Sequence, residues 1–193
     1  FLANKIKEQK NFLMNMVRTS GFYFAEINTK VMENENNSVD VVYTFILGKR
    51  AIIKKINFIG NKIFKDSKLR NVIKSEEGRF WKIISTDKYL DEQKVKLDES
   101  LLFKYFKNKG YYNVKIKSSY AKIIGNKFFE LNFNIDAGNK YYFNDITMKI
   151  DTDFSDENFS KLDKIFKNLK GKKYSINSLN KILNEIDSIA LEK

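Results

Sequence analysis

One stretch of this chain occurs twice, and the distance between the copies constrains the fold before any composition is considered. Gly21-Phe22-Tyr23 opens the run 24–31, and Gly110-Tyr111-Tyr112 opens the run 113–120, an offset of 89 residues (110 − 21). Upstream, Ile6, Phe12, Leu13, Met16 and Val17 match Val95, Leu101, Leu102, Tyr105 and Phe106 at the same offset. That spacing lays apolar side chains along one face of an α-helix in each copy. Each helix stops at a glycine, which enters the left-handed conformation of a helix C-terminus without a Cβ clash. Downstream, Tyr23, Ala25, Ile27, Thr29 and Val31 share one face of a strand, as do Tyr112, Val114, Ile116, Ser118 and Tyr120.

A second strand follows in each copy at an offset of 90, with Val39, Val41, Tyr43, Phe45 and Leu47 matching Phe129, Leu131, Phe133, Ile135 and Ala137. Polar or glycine-containing turns, Asn34-Glu35-Asn36-Asn37 and Gly125-Asn126, make each pair a β-hairpin. After Gly48 and Gly138 another strand begins, Ile52, Lys54, Ile56 and Phe58 matching Tyr142, Asn144, Ile146 and Met148. Only the middle copy is complete: strand 52–59, a turn at Gly60-Asn61, a short helix over 67–74, a loop over 75–85, a long helix over 87–108, then the hairpin. Asp66 stands where it would cap the short helix, whose buried face is Leu69, Val72 and Ile73.

The expected fold is therefore α+β: tandem β-α-α-β-β units, each a three-stranded mixed sheet covered on one face by two helices. The register divides the chain into the C-terminal half of a unit at 1–50, a whole unit at 51–138, and the N-terminal half of a third at 139–193. Phe1 and Lys193 then fall inside helices, as expected of a fragment.

Hydrophobic residues make up 42% and aromatics 15% of the chain, enough for small packed cores and too much for disorder. The net charge is +12, but only 4 of the 36 cationic residues are arginine. Groove readers lean on arginine for bidentate contacts, and carboxylates are interspersed among these lysines, so the charge reads as a solvated surface and no nucleic-acid partner is expected. No apolar run approaches the roughly 20 residues of a membrane span. Histidine and cysteine are both absent, which removes the commonest general base, thiol nucleophile and transition-metal ligands. Asp91/Glu92, Asp98/Glu99 and Asp156/Glu157 read as solvated charges on helix surfaces or near helix starts. Asp151, Asp153, Asp156 and Glu157 lack the glycine and the final glutamate of a calcium loop. No catalytic residue, metal site or cofactor is expected.

What remains is backbone and surface. Two helices cover one face of a three-stranded sheet and leave its edges. If the first strand pairs with the last, strand 129–135 is central and the strand after Gly110-Tyr111 is an edge. Asn113, Val114, Lys115, Ile116, Lys117, Ser118, Ser119 and Tyr120 are the candidate partner-binding residues there, with Phe24, Ile27 and Val31 in the first copy. Either the edge is a rail for extended polypeptide, held by backbone hydrogen bonds, or Lys115 and Lys117 simply defend it against aggregation. Phe80 and Trp81, the latter the single tryptophan, mark a loop that is either a packing anchor or a docking anchor.

Ile56-Asn57-Phe58-Ile59-Gly60-Asn61 with Phe64, Phe80-Trp81, Tyr105-Phe106-Lys107-Asn108-Lys109 and Gly110-Tyr111-Tyr112 resemble a POTRA (polypeptide-transport-associated) domain. Their order is most similar to the third such repeat in the BamA family of outer-membrane protein assembly factors. In the last copy Met148-Lys149-Ile150-Asp151 replaces the Phe-Ile-Gly-Asn turn, so that turn must differ. The resemblance implies a non-catalytic periplasmic portion of an outer-membrane protein. Its implied partners are accessory lipoproteins, nascent outer-membrane β-barrel proteins and a C-terminal membrane β-barrel absent from this chain. The related alternative is a spacer or docking module of a translocation-assembly or two-partner secretion protein, without direct client binding.

Overall fold

Both long amphipathic segments form helices, and both end as the glycines require. The computed structural model describes residues 2–60, 63–79, 84–149 and 160–191. The order is α1 (Leu2–Thr19), β1 (Glu26–Glu33), β2 (Val39–Ile46), β3 (Ile52–Ile59), α2 (Asp66–Arg70), α3 (Glu92–Asn108), β4 (Lys115–Ile123), β5 (Phe128–Asp136), α4 (Ser160–Leu169) and α5 (Ile176–Leu191). Gly21 and Gly110 adopt φ of 89° and 105°. The N–H of the next residue then reaches back into the helix, Phe22 to the Val17 carbonyl at 3.2 Å and Tyr111 to that of Phe106 at 3.1 Å.

The strands form a two-stranded antiparallel sheet, β1-β2, and a three-stranded sheet of order β3-β5-β4, with β3 parallel to β5. This is the expected mixed α+β arrangement. The β1-β2 turn closes through Asn34 N–H to the Ser38 carbonyl at 2.9 Å, with Asn37 at φ 57°. In β5, Phe129, Leu131, Phe133 and Ile135 are all buried, which fits the central strand of its sheet. On the other face Asn57 and Asn132, in register across β3 and β5, hydrogen-bond to each other at 2.9 Å.

Two compact units divide the chain, Phe1–Glu99 with Ser118–Asn134, and Ser100–Lys117 with Ile135–Lys193. In the first, Ile53, Ile56, Leu69 and Leu131 are fully buried, and Phe58 stacks on Phe133 at 5.8 Å. In the second, Leu102, Phe106, Val114, Ile135 and Leu162 are buried.

Several boundaries differ from the sequence expectation, each for a hydrogen-bonding reason. The long helix begins at Glu92 rather than at 87 because residues 88–90 run beside β3 instead. Ile53 N–H reaches the Lys88 carbonyl at 2.8 Å, Leu90 N–H reaches that of Ala51 at 3.0 Å, and Tyr89 forms a bridge with Ile52. Asp91 then caps α3, its Oδ1 accepting from Gln93 N–H at 2.8 Å and Lys94 N–H at 3.1 Å. The short helix is one turn, with Lys65 at its N-cap and Asp66 inside it making no cap bond. Residues 142–148 form no strand: Tyr142 makes one bridge, to Lys173, and no strand among the described residues pairs along them. Asn61, Phe80, Trp81 and the acidic run at 151–157 lie outside the described residues.

Candidate strand-docking site

The strand after the second Gly-aromatic motif begins later than expected. Residues 111–114 make a turn, closed by Val114 N–H to the Tyr111 carbonyl at 3.3 Å, and β4 starts at Lys115. Asn113 therefore stands before the strand, its amide donating to Tyr141 Oη at 2.9 Å. Val114 is buried and Ile116 half-buried, but the inward face then shifts by one residue. Ser119, not Ser118, turns inward, and its hydroxyl donates to Glu99 Oε1 on α3. Ser118 and Tyr120 are exposed. Lys117 is engaged rather than free, its ammonium 2.9 Å from Asp136 Oδ2. The Lys117 ammonium, with help from Gly138 N–H, holds the Asp136 carboxyl below its ordinary range.

Among the described residues β4 pairs on one side only, with β5, and its other edge is open. Beside its outer half lies a groove of about 340 Å³. Ser119, Tyr120 and Ala121 form one wall; Glu92, Val95, Lys96 and Glu99 of α3 form the other; Tyr23, Leu90 and Leu131 supply the apolar base and end. An edge open on one side, beside a trough that mixes Tyr23, Leu90, Val95 and Leu131 with Glu92, Lys96 and Glu99, offers an added strand backbone bonds for affinity and a place for alternate side chains.

The opposite edge is closed. A bulge between Ile53 and Lys55 lets Ile53 and Ile56 both turn their backbone groups away from β5. Ile53 bonds to Gly78 N–H at 2.7 Å and to the Lys88 carbonyl at 2.8 Å. Ile56 N–H donates to Glu77 Oε1 at 3.0 Å, and its carbonyl accepts from Arg70 Nη2 at 2.9 Å. Arg70 and Glu77 are themselves an ion pair at 3.1 Å, so two side chains occupy the positions that a neighbouring strand would fill.

The remaining candidates are placed as follows. Phe24 precedes β1 and packs on Phe129 at 5.6 Å; Ile27 is buried; Val31 is exposed on β1. Asp98, read as a solvated charge, is fully buried and accepts from Lys74 N–H at 2.6 Å and Ser75 N–H at 3.2 Å. Burial pushes its carboxyl up, against the pull of those hydrogen bonds and of Lys94. No cluster of metal-ligating side chains and no helix long and apolar enough to cross a membrane occurs among the described residues. Sequence reasoning missed the groove residues Glu92, Lys96 and Glu99 of α3 together with Tyr23, Leu90, Val95, Ala121 and Leu131. Val95 and Leu131 did stand out as apolar positions, and Tyr23 as part of the repeated motif.

Residues 51–138 match the model of the POTRA family, described as a surface antigen variable number repeat, and the fold of that segment agrees with it. The particular kinship is to the BamA outer-membrane protein assembly factors, whose POTRA region this chain resembles. BamA of Neorickettsia risticii (strain Illinois) is 26% identical over 117 residues, 61% of this chain and 16% of that protein. BamA of Neisseria meningitidis serogroup B is 25% identical over 164 residues, 84% of this chain and 20% of that protein. The chain thus spans at most about a fifth of the length of these curated relatives. The crystal structure of Haemophilus influenzae BamA POTRA3-5 matches with a TM-score of 0.54 at 16% identity, over 95% of this chain and 68% of that one, a likeness of fold.

Proposed function

We propose that this chain is a non-catalytic periplasmic part of a BamA-like outer-membrane protein assembly factor. It takes up extended segments of unfolded β-barrel clients at the open edge of β4 and offers its remaining surface to accessory lipoproteins. Residues 1–50, 51–138 and 139–193 act as parts of successive POTRA units. The observation that carries this reading is the asymmetry of one sheet: β4 is open beside a groove, while β3 is closed by Arg70 and Glu77. Backbone recognition suits a factor that must accept many client sequences.

The test is site-specific photocrosslinking to an unfolded porin-like client. A photoreactive residue at Tyr120 or Lys122 is expected to capture the client, and one at Lys68 on α2 is not. Equal capture at all three positions, or none at β4, would leave a spacer without a client edge.

A further inference from the structure

We infer that the joint ahead of the 51–138 domain controls the groove beside β4, with Arg50 as the positioning residue and Tyr23 as the moving wall; this rests on reading β4 as the client edge. Tyr23 lies outside the matched domain, yet its ring lines the groove. It stands edge-on to Phe129 at 5.4 Å, with the Arg18 guanidinium over its face at 5.3 Å.

What places Tyr23 there is the turn just before it, and that turn is tied to the following domain by backbone bonds. The Gly21 carbonyl accepts from Ala51 N–H at 2.7 Å, and the Ala51 carbonyl accepts from Leu90 N–H at 3.0 Å. Arg50 locks the turn from the side. Its Nη2 and Nε donate to the Ser20 carbonyl at 2.9 and 3.2 Å, and its guanidinium lies 3.9 Å from the centre of the Tyr89 ring. Gly21 makes the turn possible through its φ of 89°, with Arg50 Nε and Tyr89 Cβ already at contact distance, 3.4 Å, from where a Cβ would be.

The same joint recurs at the second motif. Tyr141 N–H bonds to the Gly110 carbonyl at 2.8 Å, and Tyr174 N–H to that of Tyr141 at 2.9 Å. Tyr112, the counterpart of Tyr23, again reaches forward, meeting Tyr174 at 5.0 Å. The second aromatic of each Gly-aromatic-aromatic motif is thus a coupler across the joint. Lys140 stands where the first joint has Arg50. An ammonium cannot stack and bond in a plane as a guanidinium does, so Lys140 does not repeat the Arg50 clamp.

Releasing the 20–23 turn from Arg50 would draw Tyr23 off Phe129 and open the end of the groove. An extended client strand would then lose its contact with an aromatic wall while keeping its backbone bonds to β4.

The experiment uses the 193-residue chain and a fluorescein-labelled nine-residue peptide alternating Phe or Val with Ser or Thr, followed by anisotropy. Tyr23→Ala is expected to weaken binding about tenfold, as for loss of one aromatic contact. Arg50→Ala should weaken it to a similar degree, Arg50→Lys less, and the double variant Tyr23→Ala/Arg50→Ala no more than Tyr23→Ala alone. In Arg50→Ala the NOEs between the Tyr23 and Phe129 rings should fade while the rest of the spectrum stays folded. Persistence of those NOEs, wild-type binding by Arg50→Ala, or additive losses in the double variant would each overturn the coupling. Failure of the wild-type chain to bind the peptide would instead sink the client-edge reading on which the coupling rests.

Discussion

Asp98 shows how much one misread carboxylate contributes. Its two backbone partners, Lys74 and Ser75, lie in the turn after α2, so the side chain ties that turn to α3. Asp98→Ala strands the buried Ser75 N–H and the part-buried Lys74 N–H, and is expected to lower the unfolding free energy by about 2–3 kcal/mol, read from urea midpoints. The pH dependence has a definite sign. Burial raises the folded-state pKa above the ordinary 3.8, so the folded chain holds this proton more tightly than the unfolded one. The group's contribution is full below the unfolded value and is lost as pH rises through the folded value. The stability difference between wild type and Asp98→Asn should therefore shift against the wild type across that window. Asp136 has the opposite sign: Lys117 lowers its pKa, so its contribution is present above 3.8 and lost as pH falls through the folded value. Asp136→Asn should flatten a slope at the acid end only. Matching slopes for the two variants would refute the assignment.

Edges decide what a sheet can do, and here the two edges are treated differently. β3 has its outward groups taken by Gly78, Lys88, Arg70 and Glu77. Replacing Glu77 by alanine frees the Ile56 N–H and leaves Arg70 without its ion-pair partner. Faster amide hydrogen exchange at Ile56 is expected, together with concentration-dependent self-association in sedimentation, because an unprotected edge invites another strand. An unchanged Ile56 exchange rate would mean that the neighbouring segment alone protects this edge. The helix ends are equally specific. Gly110 sits at φ 105° with Lys140 Cγ only 2.9 Å from where a Cβ would be, so Gly110→Ala should destabilise by about 1–2 kcal/mol in thermal or urea unfolding.

For the chain as one object, the charge of +12 is the property most open to misreading. If clients are held by backbone bonds and apolar contact at β4, raising salt should change their affinity by less than about threefold. Polyanion binding driven by counterion release would instead fall by orders of magnitude over the same range. Anisotropy with the alternating peptide and with a DNA oligonucleotide, at low and moderate salt, separates the two.

Read from the chain alone, the repeat, the helix faces and the glycine stops were legible because each is a local pattern with a period or a backbone requirement. Phe129, Leu131, Phe133 and Ile135 announced a strand by their alternation, and pairing the first strand of the unit with the last placed it at the centre of its sheet. Other features depend on partners that no local pattern names. Asp98 beside Glu99 looks like any charged helix pair until the fold brings Lys74 and Ser75 against it. Residues 88–90 carry a helix-compatible pattern, but β3 offers them backbone bonds, and those win over local propensity. The closed edge needs Arg70 and Glu77 to converge on Ile56, and the groove needs Tyr23 to cross a joint. Periodicity determined which elements form; hydrogen bonds between residues far apart in the chain decided which edge stays open.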